Sequence, residues 1–522
     1  MRSFKNRFAD HADTFRRARY IAVIVFVFAI YVFGIWENPP GFYVDESALS
    51  YNAYLVSQTG AGEFGPKFPL YFQIYTGGFT QWSNPTHIYI LAAAFKIFGP
   101  GIVTARLVAA FFVFCACILI GFLARRISGR DIIGVIVGSV ALLTPWWFEV
   151  GRLVLECFIY PLATVLLLWS VYRVSKKDAW SWPDAAVITG ALTLLTYSYT
   201  IGRLLGPLLA GGLVLFAVNR ERIISVAKVW AVYLAAFIPL VVYMRQRPEL
   251  STRFYLISYI KQDSKHIEVI PPFLKRYLED INPLTMLLVG DTNPRHHLPD
   301  AHGSFYAAVF VLAVIGLVLV IMRHRRSSWW LYVVFGAAVS VIPGSLTVDK
   351  FHTLRMLAMP AFLFTLTIPA LEWLLNEKDK HSAIQADETE LPSKRSYWQT
   401  ARGAVLAGLL LFGSLEAAYF HLKYYRHGDN RGYAFDQDYK PLYDQAVAQP
   451  LRPIYLVDGY WGPAYIHSFW YATLEGRDRG EFVHQSYGKR PPPGSIVISS
   501  EQACTTCEMI SKNGTFLLYR TR

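Results

Sequence analysis

The chain reads as a polytopic α-helical membrane protein that ends in a small α/β domain, and three observations predict this. Apolar runs of membrane-crossing size recur between residues 20 and 420. Lys and Arg clusters punctuate every second connection between them. Beyond residue 420 the pattern changes to short β-rich runs bounded by Gly and Pro. Composition agrees, since the 522 residues are 54% hydrophobic and only 17% charged, with a mean hydropathy of +0.30. The net charge of +13 fits basic cytoplasmic loops rather than a nucleic-acid partner, because the charges separate apolar runs instead of forming one patch.

The expected spans are 20–36, 104–124, 131–147, 153–172, 184–200, 204–218, 226–244, 304–322, 329–345, 355–375 and 402–420. Arg2, Lys5, Arg7, Arg16, Arg17 and Arg19 precede the first. The signal then repeats at Arg125/Arg126/Arg130, Arg173/Lys176/Lys177, Arg220/Arg222/Lys228 and Arg323/Arg325/Arg326. That alternation predicts an inside N-terminus, about eleven spans and an outside C-terminus. The first apolar run lacks a small-residue cleavage site and reads as an anchor. Cys115, Cys117 and Cys157 sit in apolar runs and read as packing residues.

Each outer loop carries polar residues. The first, 37–103, holds Tyr43-Val44-Asp45-Glu46 at the start of a predicted helix that Gly60 should end, followed by Glu63 and Lys67. An acidic residue there has two readings: it caps the helix, or it is a base at the membrane surface. Asn84–Phe98 is expected to lie in the outer interface as a helix. In the second loop, 245–303, Asp291, His296 and His297 are ligand-type residues. Adjacent histidines point apart, so this run reads as a polar loop bonding its own backbone, or as a phosphate- or sugar-contacting loop. The third loop holds Asp349, Lys350, His352 and Arg355, the last entering a span where an anion or snorkelling must compensate it. Glu156 and Arg152 are expected to pair. Past residue 421, strands are expected within 453–457, 494–500 and 514–519, with a helix over 462–474 and a local disulfide between Cys504 and Cys507.

Carboxylates and cations on one face suit a transfer from a lipid-linked donor, in which a base takes the acceptor proton and arginines stabilise a phosphate leaving group. Several segments also resemble the C-type (GT-C) membrane glycosyltransferases, in particular the family 39 protein O-mannosyltransferase-like group and the lipid A aminoarabinose transferases. They are Tyr43–Glu46 with Tyr51 and Tyr54, Gly65-Pro66, Pro69–Phe72, Asn84-Pro85, Phe98-Gly99 leading to Arg106, Thr196–Arg203, the 290–297 run and His352–Arg355. The resemblance spans roughly 20–375. One departure is Ser83-Asn84-Pro85, where aminoarabinose transferases carry a basic residue.

The resemblance implies a GT-C core over 1–375 with first external loop 37–103, and the chain pattern adds a cytoplasmic linker 376–401, a last span 402–420 and an extracytoplasmic α/β domain 421–522. It implies inverting transfer from a polyprenyl-phosphate sugar donor to a glycan, lipid or protein acceptor, at the outer face of a bacterial inner membrane, with no metal or other cofactor and no nucleic acid. Asp45 is then the expected base with Glu46 assisting. Lys350, Arg355, Arg203 and Arg295 are expected at the donor phosphate, and Glu63, Tyr51, Asp291, His296 and His352 at the substrate. A transporter or flippase is the competing class, which calls for ionisable residues at mid-membrane and internal repeats.

Overall fold

The computed structural model describes residues 21–76, 80–261, 263–375, 392–460, 462–463, 465–500, 504 and 506–522. The basic N-terminal residues and most of the expected linker 376–401 lie outside them. A helix falls on every expected span. The first is α1 (Ile21–Tyr31). In the first loop come α2 (Val44–Thr59) and α3 (Pro85–Phe98), with the two-residue strands β1 (Phe72–Gln73) and β2 (Trp82–Ser83) between them. Next are α4 (Ile102–Ser128), α5 (Asp131–Leu143), α6 (Pro145–Val150), α7 (Tyr160–Ser175), α8 (Trp182–Ser198), α9 (Gly202–Gly212) and α10 (Arg220–Gln246). The second loop contributes α11 (Thr252–Ile257) and α12 (His266–Asp280). Then follow α13 (Ala307–Arg323), α14 (Ser328–Val339), α15 (Ile342–Ser345), α16 (Met359–Leu374) and α17 (Pro392–His427). Among the described residues, five helical stretches are long and apolar enough to cross a membrane.

Packing separates an inner and an outer set of these helices. Helices α4, α7, α13 and α16 are buried along one face in a single apolar core. At Gly121 and Gly134 the backbones of α4 and α5 come so close that a Cβ on either would meet the other's carbonyl oxygen at 2.8 Å. By contrast, Leu234 (64%) on α10 and Leu411 (64%) on α17 stand exposed, as lipid-facing residues do.

Helix α3 packs one face into the protein and leaves Ile97 and Phe98 exposed at its end. Its His87, Ile88, Leu91 and Phe95 are buried, with the helix packed against α2 and α4. Helix α12 is amphipathic too, with Ile267, Ile270, Leu274 and Leu278 making an exposed apolar stripe at helical spacing.

After α17 the chain forms the α/β unit. Helix α18 (Tyr439–Ala448) leads to β3 (Ile454–Val457), α19 (Tyr465–Glu475), β4 (Phe482–Gln485), β5 (Ile496–Ser499), β6 (Glu508–Asn513) and β7 (Phe516–Arg520). The sheet order is β4-β3-β5-β7-β6, with β3 parallel to β4 and β5 and the remaining pairs antiparallel. Cys504 and Cys507 are joined in a disulfide. The unit is no tethered appendage. Phe469 and Trp470 of α19 share one core with Phe42, Leu49 and Tyr51 of the first loop and Phe95 of α3. Trp470 stacks at 6.0 Å on Phe42 and at 5.8 Å on Phe95.

The first loop is held from the membrane side by Arg106 of α4. Its guanidinium donates to Pro39 O (2.7 Å) and Gly41 O (2.8 Å) and pairs with Glu46 Oε2 at 3.4 Å. Both side chains are 1% exposed. Breaking a buried pair strands one charge, a cost of about 3–5 kcal/mol. Arg106→Met should therefore lower the thermal unfolding midpoint of the detergent-solubilised protein sharply. Adding Glu46→Gln to that variant should restore part of the loss, because no lone charge then remains.

Candidate functional site

Helix α2 decides which first-loop carboxylate faces the site. Its N-cap is Tyr43, so Asp45 is the second helical residue and Glu46 the third. Glu46 closes the capping box, accepting the Tyr43 N–H at 3.0 Å. Its other oxygen accepts the Val154 N–H at 3.0 Å. The Val44 N–H goes to Asp436 Oδ2 at 3.0 Å. These contacts leave Asp45 outside the cap, and its Oδ1 accepts the Tyr75 hydroxyl at 2.5 Å. The capping reading thus falls to Glu46, and both Asp45 and Glu46 border a cavity.

That cavity has a volume of about 600 Å³ and is enclosed by the first loop, the start of α7, the α8–α9 turn, the second outer loop and the 343–355 turn. One wall is apolar, with Leu204, Met244, Leu250, Phe254, Ile257 and Leu346. The opposite wall is polar. Glu156, buried at its edge, accepts from the Asn84 amide at 2.5 Å, and that amide also donates to Thr200 at 3.1 Å. Asn84 therefore stands against a second cavity carboxylate. Arg152 goes elsewhere than expected: it donates to Tyr31 O and Phe33 O, each at 2.8 Å, and to the Tyr425 hydroxyl at 3.0 Å. Glu156 was legible only as a charge beside an apolar run, and the cavity gives it a place.

Three arginines reach the cavity. Arg203 lies over Tyr71 at 4.9 Å and Arg295 over Tyr43 at 4.2 Å. Neither has a carboxylate partner among the described residues. Arg355 is buried, pairing with Asp349 at 2.7 Å and donating to Thr347 Oγ1 at 2.6 Å. Arg203 also donates to Leu250 O at 3.5 Å and Arg295 Nε to Asn293 Oδ1 at 3.4 Å, and guanidinium groups of this kind at a cavity wall suit an oxyanion. Lys350 is outside this set: its side chain is 71% exposed and its ammonium lies 4.0 Å from Glu279.

The second loop divides its two histidines. His297 Nδ1 lies 2.6 Å from Glu149, which also accepts the Leu298 N–H at 2.9 Å and pairs with Arg431 at 3.0 Å. Burial opposes a charge on His297, yet Glu149 raises its pKa overall. His296 faces the cavity beside His352, while Nδ1 lies 3.0 Å from Asp291 Oδ2. Burial works to raise the Asp291 carboxyl, but His296, His352 and the Asn293 N–H hold it well below the usual range. Burial, with His296 and Arg355 nearby, pushes His352 well below the ordinary imidazole range. Asp291, His296 and His352 form the metal-competent cluster, a third ligand from another loop having been invisible to spacing along one.

Tyr51 and Glu63 lie away from the cavity lining, against the C-terminal unit. Tyr51 packs on Phe469 at 5.7 Å, and Glu63 accepts from the Tyr465 hydroxyl at 3.3 Å.

Comparisons with known proteins agree with this architecture. Residues 83–244, the stretch from Asn84 through Glu156 and Arg203, match the family model described as dolichyl-phosphate-mannose-protein mannosyltransferase. ArnT from Cupriavidus metallidurans in the apo state superposes with a TM-score of 0.59 at 14% identity, over 97% of this chain and 98% of that one. The same protein bound to undecaprenyl phosphate gives 0.58 at 13% identity, over 96% and 97%. No curated protein sequence matches the chain. The likeness to C-type membrane glycosyltransferases read from the sequence thus holds as a fold over nearly the whole chain, and as a family match over residues 83–244.

Burial lifts the Glu63 carboxyl to about 7, against the lowering effects of Arg479 and Tyr465. A folded-state value above the unfolded one means that the folded protein holds the proton more tightly. The associated stability is present below about pH 4.3 and lost as pH rises through about 7. Glu63→Gln should therefore raise the unfolding midpoint relative to the parent at pH 8, with the difference vanishing near pH 4.

Proposed function

We propose that the protein is a membrane glycosyltransferase that moves a sugar from a polyprenyl-phosphate donor to an acceptor hydroxyl at the extracytoplasmic surface. The observation that carries this reading is the placement of Asp45. Its neighbours perform the capping, and it stands in a cavity with arginines across one wall and an apolar surface on another. The family match over 83–244 and the fold shared with a protein seen with undecaprenyl phosphate support the same donor class.

In this reading the apolar wall takes the first isoprene units and Arg203, Arg295 and Arg355 take the phosphate. The acceptor O–H gives its proton to the Asp45 carboxylate as its oxygen attacks the anomeric carbon. The bond from that carbon to the phosphate oxygen breaks, and its electron pair stays on the lipid phosphate. The arginines stabilise that growing charge. Attack from the face opposite the phosphate inverts the anomeric carbon. Tyr75 orients Asp45, and Glu156 with Asn84 holds hydroxyls of the sugar or acceptor. Glu46 acts through position, by holding the helix start that carries Asp45.

Asp45→Asn keeps the side-chain shape and removes the negative charge. With a polyprenyl-phosphate sugar as donor, it should lower the transfer rate by roughly two or more orders of magnitude. Arg355→Ala should weaken donor use, with Lys a poor replacement if the phosphate is held by two donors at once. Near-parental transfer by Asp45→Asn at equal protein level would remove it as the base.

The outward orientation rests on the Lys/Arg alternation. Cysteines placed at the exposed Gln58 and at the exposed Lys489 should both react with a membrane-impermeant thiol reagent on intact cells. Labelling of either one only after the membrane is opened would break the shared outer face.

A further inference from the structure

The transfer just described leaves helix α12 without a part. Successive residues of a helix turn by about 100°, and the side chains of α12 divide among three faces. Val269, Phe273, Tyr277 and Asp280 are half-buried or buried on the side toward the protein. Glu268 and Lys275 stand exposed on a second face. The third is the apolar stripe of Ile267, Ile270, Leu274 and Leu278, each between 52% and 74% exposed. Past the helix, Leu284 and Leu288 are exposed as well.

Protein on one side, charged residues on another and free apolar side chains on a third suit the boundary between lipid headgroups and acyl chains. The position in the chain agrees. The chain enters this stretch from the apolar helix α10 and leaves it for the apolar helix α13. Helix α12 itself has 15 residues. It is therefore about 22 Å long, too short to cross a hydrocarbon core of about 30 Å.

The end of α12 grips the turn that holds Arg355. The buried Asp280 accepts the Ser345 hydroxyl and the Phe351 N–H, each at 2.8 Å. Between those two points, Arg276 donates to Val348 O at 3.0 Å. Thr347 and Asp349, which hold the Arg355 guanidinium, lie on the same stretch between Ser345 and Phe351. A carboxylate at the end of α12 thus fixes both ends of the segment that supports a cavity cation.

We propose that α12 is a strut seated in the outer lipid leaflet, which sets the 345–351 turn through Asp280 and so the depth of Arg355 relative to the lipid surface. A lipid-linked phosphate arrives at a depth that its own tail fixes. A cation that must meet it is best placed by an element resting on the same surface. Asp280 is then a positioning residue, acting through the turn. The benefit to Arg355 rests on the donor reading above, but the seat of α12 in lipid does not.

The seat is read on the parent protein in vesicles of phosphatidylethanolamine and phosphatidylglycerol that include a phospholipid with a diazirine near its glycerol. After illumination, mass spectrometry of the α12 peptide should find adducts on the stripe and none at Val269 or Phe273. An unlabelled stripe, as a protein partner covering it would leave, would overturn the seat. Leu274→Glu should lose the adducts and raise the KM for a polyprenyl-phosphate sugar severalfold at unchanged kcat, while Leu274→Phe should behave as the parent. Asp280→Ala should keep the adducts and raise the same KM. The parent's KM in either Leu274→Glu or Asp280→Ala would overturn the strut. The unfolding midpoint of each variant in detergent separates a lost strut from a lost fold. Labelling needs no donor, so its result and the transfer reading can fail independently.

Discussion

The ion pair of Arg106 with Glu46 is the contact on which the outer half of the molecule depends. A guanidinium withdrawn from water needs its donors satisfied, and here they go to the carbonyls of Pro39 and Gly41 as well as to Glu46. The carbonyls hold the path into α2 and the carboxylate holds its first turn. Glu46 also takes the Val154 N–H, so the same pair sets the chain entering α7 against α2. Asp45 and Glu156 therefore reach one cavity from elements far apart in sequence because a single buried charge pair fixes both approaches. Such a pair need not add net stability over an apolar substitute. What it supplies is a geometry with few alternatives.

This arrangement explains how adjacent carboxylates acquire unlike tasks. Successive helical residues differ in direction by about 100°, so Glu46 turns to Arg106 and the Val154 N–H while Asp45 turns to Tyr75, and both border the cavity. Glu46 is buried with four donors around it, which hold its carboxyl in place. Asp45 keeps one hydroxyl contact, from Tyr75, and borders the cavity. Glu46 borders that cavity as well, and Glu156, buried there, adds a carboxylate from another element.

Much of the fold was legible in the sequence because hydropathy and charge alternation act locally. Every expected span received a helix, and β3, β5, β7 and α19 fell where Gly and Pro bounded them. The strand β6 was not legible, since Glu508–Asn513 is exposed at the sheet edge and lacks the apolar alternation of a buried strand. The burial of α3 also escaped, because its partner surface comes partly from the C-terminal unit. Within the site, Asp45, Arg203, Arg295, His296, His352 and Arg355 were found and do line one cavity. The other expected residues divide: Glu46 borders the cavity too, whereas Lys350 is next to that turn but exposed, and Tyr51 and Glu63 follow Asp45 in sequence yet pack on the α/β unit.

The way the α/β unit packs argues that it is part of the architecture around the cavity rather than an independent module. Asp436, just before α18, accepts the first free N–H of α2 and also lies 3.2 Å from His467 Nε2 of α19. His467 Nδ1 in turn lies 2.9 Å from Ser47 Oγ, two residues past Asp45. A loop of three side chains thus closes across the first turn of α2, opposite the side held by Arg106. Two constraints from different ends of the chain grip one helical turn, and the residue between them is the carboxylate that faces the cavity. Any tilt of that turn would move Asp45 relative to the arginines, and a misplacement of about 1 Å can cost on the order of a hundredfold in rate. The C-terminal unit therefore has a reason to be fused to the membrane core: it completes the clamp that aims Asp45.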